Sequence, residues 1–155
     1  MKSFKPPQRP DISQVTTSLF LAGAIDQGRA IPWQKRIEDA LEDRKVTVLN
    51  PRRDDWDATW DQSPDHPSFA DQVKWELDYL ETAETIVFYF PADSEAPITL
   101  LELGLYGTPQ KAIVFCPKEY WRSGNVHIVC KRKGIPVYTD HDEFVEAVCS
   151  VFPKL

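Results

Sequence analysis

Residues 85–106 read T-I-V-F-Y-F-P-A-D-S-E-A-P-I-T-L-L-E-L-G-L-Y, and this stretch decides the fold. After Thr85 come five consecutive apolar or aromatic residues, the pattern of a strand covered on both faces. The proline-bounded segment 91–97 breaks the strand, and I-T-L-L-E-L-G-L-Y then reads as a helix. The one charged residue in that helix is Glu102, with Leu101 and Leu103 beside it and Leu100 and Leu105 close by. A carboxylate among such neighbours loses solvation, which costs several kcal/mol unless it is paired or its pKa rises. Glu102 is therefore either the anchor of a buried hydrogen bond or a reacting group.

The same alternation extends in both directions from this stretch. Residues 1–14, with three prolines, read as an irregular leader, and residues 15–155 as one domain. Strands are expected at 18–21, 46–49, 85–90 and 112–115, with further short strand candidates at 126–130 and 136–138. Helices are expected at 32–42, opened by Pro32, and at 68–82, capped by Ser68. The Glu102 helix follows, and a last helix ends near Phe152. Strands and helices in turn imply an α/β sandwich of flavodoxin- or Rossmann-like type, with a mostly parallel sheet of about five strands. In such sheets ligands bind beyond the carboxyl ends of the strands. That rule selects the loops 23–30, 50–67, 91–97 and 117–125. The long polar loop 52–67, which carries Trp56 and Trp60, reads as a lid or binding loop.

Composition narrows the function classes. A chain of 155 residues with 42% hydrophobic residues can close a sizeable core. Its net charge of −6 and the lack of a long basic run exclude the usual footprint for a nucleic acid polymer or an anionic membrane. The basic run 131–133 is short and reads as a solvated turn. Cys116, Cys130 and Cys149 are scattered and apolar-flanked, so buried reduced thiols are expected rather than disulfides or zinc ligands. No signal peptide or membrane-spanning stretch is evident, and a cytoplasmic protein is expected.

Several side chains could carry chemistry. The loop 23–30, G-A-I-D-Q-G-R-A, places Gly23 near a helix start but lacks the G-x-G-x-x-G spacing of a dinucleotide site. In it, Asp26 would accept hydrogen bonds from sugar hydroxyls and repel phosphate, unless Arg29 or Arg52 compensates. In the helix 68–82, Gln72 and Glu76 fall on the stripe of Phe69, Val73, Leu77 and Leu80 that should face inward, where polar groups need partners. They lie either at its edge, reaching solvent, or at the strand ends with Glu102 and Asp26, where crowded carboxylates would divide acid, base and nucleophile roles. Trp56, Trp60 and Trp75 are each either core cover or a flat face for a heterocyclic base. His66, His127 and His141 are isolated, and no nucleophile elbow or Walker lysine loop occurs. No metal and no cofactor is expected. By elimination, glycosidic-bond chemistry fits best, since it needs little beyond a nucleophilic carboxylate, a second acid and a shaped pocket.

S-L-F-L-A-G-A-I-D from residue 18, V-L-N-P-R-R-D-D-W-D from 48, Q-V-K-W-E-L from 72, P-I-T-L-L-E-L-G-L from 97 and W-R-S-G-N-V from 121 resemble the nucleoside 2-deoxyribosyltransferase-like family. The resemblance runs from about residue 18 to residue 152 and implies a flavodoxin-like sandwich that forms homodimers or larger homo-oligomers. It implies that Glu102 attacks C1′ of a 2′-deoxynucleoside, giving a glycosyl-enzyme ester that a free nucleobase or water resolves. It further implies that Glu76 positions the base or Glu102, and that Asn125 reaches sugar hydroxyls, in some members across a subunit interface. The chain departs from the family in having Ala96 where studied transferases carry an aspartate thought to protonate the leaving base. It also has Ala24 and Asp26 where related monophosphate N-glycosidases carry phosphate-contacting serine and arginine. Free nucleosides are the expected substrates, with deoxynucleoside monophosphate hydrolysis or nucleoside binding without turnover as alternatives.

Overall fold

The computed structural model describes residues 1–15, 17–25 and 32–155. Six strands form one all-parallel sheet: β1 (Lys2–Phe4), β2 (Ser18–Gly23), β3 (Thr47–Leu49), β4 (Thr85–Tyr89), β5 (Ala112–Phe115) and β6 (Val137–Tyr138). The described helices are α1 (Trp33–Ala40), α2 (Pro67–Thr82), α3 (Pro97–Tyr106), α4 (Ser123–Lys133) and α5 (His141–Val151). The strand order β1-β3-β2-β4-β5-β6 is that of a flavodoxin/Rossmann-like sandwich.

Period-two alternation builds the two cores. Phe20, Leu49, Ile86, Phe88 and Val114 point to one face, where they meet Trp75 of α2, Leu103 of α3 and Val126 of α4. Leu19, Leu21, Val48, Val87 and Ile113 point to the other, against Ile37 of α1 and Phe144 and Val148 of α5. The chain leaves β2 for β3 on one side and returns across it to β4 on the other. The carboxyl ends of β2 and β4 therefore flank the switch point, where open α/β sheets hold ligands.

The structure corrects the sequence reading in four places. First, residues 126–130, read as a strand, lie inside α4. Val126 and Cys130 are buried at i, i+4 spacing while Ile128 and Val129 face out, a helical pattern that β-branched residues disguise. Lys131, Arg132 and Lys133 are this helix's last turn, against its negative end, and Gly134 follows at φ 73 as the left-handed C-cap. Second, the leader begins with β1, which pairs with β3 at the sheet edge. Third, the side-chain cap of α2 is the His66 ring, which accepts from the Phe69 N–H at 3.3 Å, and not Ser68. Fourth, the buried face of α2 is Gln72, Trp75, Tyr79 and Leu80, whereas Leu77 is exposed. The leader explains that rotation. Trp75 Nε1 donates to the Gln8 carbonyl at 2.7 Å and the Tyr79 hydroxyl to the Pro10 carbonyl at 2.9 Å, so both rings pack inward with their polar tips satisfied.

Candidate active site

Helix α3 starts under strain. Ala96, its N-cap, sits at φ 45, a left-handed conformation unfavourable for alanine, and Pro97 opens the first turn. Two donors hold this corner through one carbonyl. The Tyr120 hydroxyl donates to the Glu95 oxygen at 2.7 Å and Trp121 Nε1 donates to it at 3.1 Å. Tyr120 is itself fully buried against Phe90.

The helix that follows turns its carboxylate inward and its leucines outward. Glu102 is 7% exposed, while Ile98, Leu101 and Leu105 are 58%, 57% and 60% exposed. Of the two leucines flanking Glu102, only Leu103 is buried with it, and Glu76 of α2 lies close enough for its charge to be felt. Glu102 forms no hydrogen bond with a described residue, and the Tyr106 hydroxyl turns instead to Glu81 at 3.4 Å. Burial pushes Glu102 up to about 8, and the negative charge of Glu76 adds to the rise.

Glu76 is the second member of a carboxyl pair. Gln72, one turn earlier on α2, donates Nε2 to Glu76 at 2.7 Å and to the Pro51 carbonyl at 3.0 Å. The Pro51 carbonyl, which can only accept, fixes that amide's orientation, and Gln72 Oε1 is left buried without a partner among the described residues. Glu76 keeps some exposure as a residue, yet burial of its carboxyl pushes it up to about 7, against the lowering effect of the Gln72 bond. Two crowded carboxyls with values near neutrality can hold one proton between them, which suits one as acid and the other as nucleophile or base.

At the end of β2 the opposite face of the sheet, covered by α1 and α5, is aromatic. A Cβ on Gly23 would lie 2.4 Å from Trp33 Cζ2 and 3.0 Å from Tyr89 Cβ, so this glycine exists to admit the Trp33 ring. Trp33 lies parallel on Tyr89, with centroids 4.5 Å apart, and donates Nε1 to the Ala24 carbonyl at 3.1 Å. Asp26 and Arg29 lie outside the described residues. In the loop before α2, Trp56 packs edge-on to Trp60, and the Arg53 guanidinium, held by Asp55, lies over Trp60. Both tryptophans keep partial exposure, whereas Trp75 is 1% exposed and is core. Asn125 is exposed in the first turn of α4.

Sequence reasoning missed the buried polar residues around the end of β3. Gln34 is 1% exposed and Asn50 2%. Asn50 Nδ2 donates to Glu38 at 3.1 Å, and its Oδ1 accepts from the Arg52 N–H at 3.0 Å. The one available signal was Asn50-Pro51 ending a strand, which reads as a plain turn. Cys116 and Cys130 are excluded as nucleophiles, since burial pushes them up to about 12 and about 11. Among the described residues no cluster of His, Cys, Asp or Glu could hold a metal ion, and no helix is long and apolar enough to cross a membrane.

With the buried carboxyl pair of α2 and α3 described, comparison with protein families becomes informative. The family model described as nucleoside 2-deoxyribosyltransferase like matches residues 16–120, more than half of the chain. The chain belongs to that family. The match takes in β2 through β5, and with them Gly23, Gln72, Glu76 and Glu102; Asn125 and the W-R-S-G-N-V motif lie beyond it. No curated protein matches the chain.

Proposed function

We propose that this nucleoside 2-deoxyribosyltransferase-like protein breaks and remakes the N-glycosidic bond of 2′-deoxynucleosides through a covalent ester on Glu102. One observation carries the reading: Glu102, on the helix that follows β4, is a 7% exposed carboxyl without a hydrogen bond to any described residue, and it feels the charge of a second carboxyl, Glu76. A structural carboxyl would be hydrogen-bonded; a nucleophile is left free to reach its target.

Ionised Glu102 attacks C1′ while the C1′–N bond breaks, and that bond's electron pair leaves with the base. With values of about 7 for Glu76 and about 8 for Glu102 the shared proton rests mainly on Glu102, so the reaction runs from the minor form in which Glu76 holds it and delivers it to the departing base. This gives Glu76 the role of the aspartate that Ala96 does not supply. A nitrogen of a second base, or water, then attacks C1′; the ester bond breaks, Glu102 is released as a carboxylate, and Glu76 takes up the acceptor's proton. Gln72 and Trp56 contact the base, Asp26 and Arg29 are assigned to substrate binding from their place in the sequence after Gly23, and no cofactor takes part. The exposed apolar side chains of α3 (Ile98, Leu101, Leu105) and α4 (Ile128, Val129) support a homodimer, with Asn125 serving the sugar hydroxyls in a second copy's site.

Chromatography of each 2′-deoxynucleoside incubated with the protein, with and without a second free base, tests this reading. A new nucleoside establishes transfer, and free base with deoxyribose establishes hydrolysis. Unchanged substrates throughout, with the 2′-deoxynucleosides and with their 5′-monophosphates alike, would overturn the proposal.

A further inference from the structure

Arg52 follows β3 on the chain, at the end of the sheet where ligands bind, and it is partly buried. The other partly buried arginines are neutralised by carboxylates: Arg53 by Asp55 at 2.9 Å and Arg44 by Asp43 at 3.3 Å. Arg52 has no carboxylate partner among the described residues. Its only side-chain hydrogen bond to a described residue is a long one, from Nη1 to Gln34 Oε1 at 3.4 Å. The nearby carboxylate Glu38 is engaged elsewhere, by the Ser3 hydroxyl and by Asn50 Nδ2.

Gln34 provides an independent second observation. It is 1% exposed, its Oε1 faces the guanidinium, and its Nε2 is a buried donor without a partner. A buried amide donor left unmade costs about 1–3 kcal/mol, so such a group marks a place where an acceptor is wanted. Gln34 also lies in the first turn of α1, which contains no acidic residue to compensate the positive end of that helix. A guanidinium with no carboxylate partner and an N–H with no acceptor among the described residues meet a helix N-terminus here, and all three call for an oxyanion. The same β3 end reaches the carboxyl pair, because the Pro51 carbonyl accepts from Gln72, which in turn donates to Glu76.

We infer that Arg52 and Gln34 form a phosphate subsite, so that the substrate is a 2′-deoxynucleotide rather than the free nucleoside. The inference rests on the N-glycosyl reading above and deepens it by naming the substrate class. It reverses the expectation drawn from Asp26, a residue outside the described part of the chain.

Binding to the full chain carrying Glu102→Gln tests the subsite without turnover in the readout. Calorimetry compares a 2′-deoxynucleoside with its own 5′-monophosphate, so that the base and sugar are constant. The monophosphate should bind at least about tenfold more tightly, and Arg52→Gln should bring the ratio towards one. Gln34→Leu, which removes the orphaned donor but no charge, should lower the same ratio. Equal affinities, or a ratio that survives Arg52→Gln, would overturn the subsite. So would inorganic phosphate alone binding as tightly as the monophosphate, which would make free phosphate the occupant. Turnover of the unsubstituted protein on the same two ligands separates the two claims. Cleavage with no preference for phosphate sinks the subsite and leaves the glycosyl chemistry standing. Phosphate-selective binding with no cleavage supports the subsite and sinks the glycosyl chemistry.

Discussion

Replacing Glu102 by glutamine removes a carboxyl that the fold holds far from its ordinary value of 4.5, up at about 8. At low pH the group is protonated in the folded and unfolded chains alike. As pH rises from 4.5 towards 8, the unfolded chain releases the proton and the folded chain keeps it, so stability falls across that window. Glu102→Gln should therefore raise the melting temperature, and the gain over the parent should widen between about pH 5 and about pH 8, reaching of order 2 kcal/mol. A gain that is flat with pH would show that Glu102 is not held protonated. A second experiment reads the pair itself. Glu76 raises Glu102 by its charge, so Glu76→Gln should lower the pKa of Glu102 and move the ascending limb of the pH–rate profile to lower pH by about one unit. The same variant loses the proton donor, so kcat should fall by about 100-fold. A limb that stays in place would separate the two carboxyls.

At the scale of elements, the end of β2 and the start of α1 are locked together by the absence of one methyl group. The Trp33–Tyr89 stack occupies the space where a Gly23 side chain would stand. Gly23→Ala should cost about 1–3 kcal/mol in denaturant unfolding, because neither ring is a flexible tip that can swing aside. Trp33→Leu should relieve part of that clash, so the double variant should be more stable than the sum of the single effects predicts. Additive effects would place the strain elsewhere. The elements themselves differed in how legible they were. Strands β4 and β5 stand out as continuous apolar runs, and Glu102 stands out because one carboxylate interrupts a leucine-rich helix. Helix α4 does not, since V-H-I-V-C matches strand composition and only the i, i+4 burial of Val126 and Cys130 shows its period. The inward face of α2 was also hidden, because the leader's carbonyls at Gln8 and Pro10 make Trp75 and Tyr79 better core residues than Leu77. Arg52 was legible as a charge that could compensate a phosphate, but Gln34 acquires meaning only in three dimensions, where its unmet donor meets that guanidinium.

At the scale of the whole molecule, the six-stranded sheet sets β2, β3 and β4 side by side, Gln72 ties the segment after β3 to the carboxyl pair, and α3 presents Leu101 and Leu105 to the outside. The helix that carries Glu102 thus supplies both the buried carboxyl and an apolar outer face. Burying that face against a second copy would remove Ile98, Leu101 and Leu105 from water at about 25 cal/mol per Å² of apolar surface. Light scattering should find the parent as a dimer and Leu101→Glu shifted to monomer, since a charge in the centre of an apolar contact is left unpaired. A parent that is monomeric at working concentration would remove the dimer from the account and with it the role given to Asn125. The exposed leucines would then be surface alone.

The central claim is the covalent ester, and peptide mapping by mass spectrometry after rapid acid quench of a turning-over sample tests it most directly. The account predicts a deoxyribosyl adduct on the peptide containing Glu102, formed on adding deoxynucleoside or deoxynucleotide and discharged by a free base or water. An adduct on another residue, or turnover that continues in Glu102→Gln with no adduct, would contradict it.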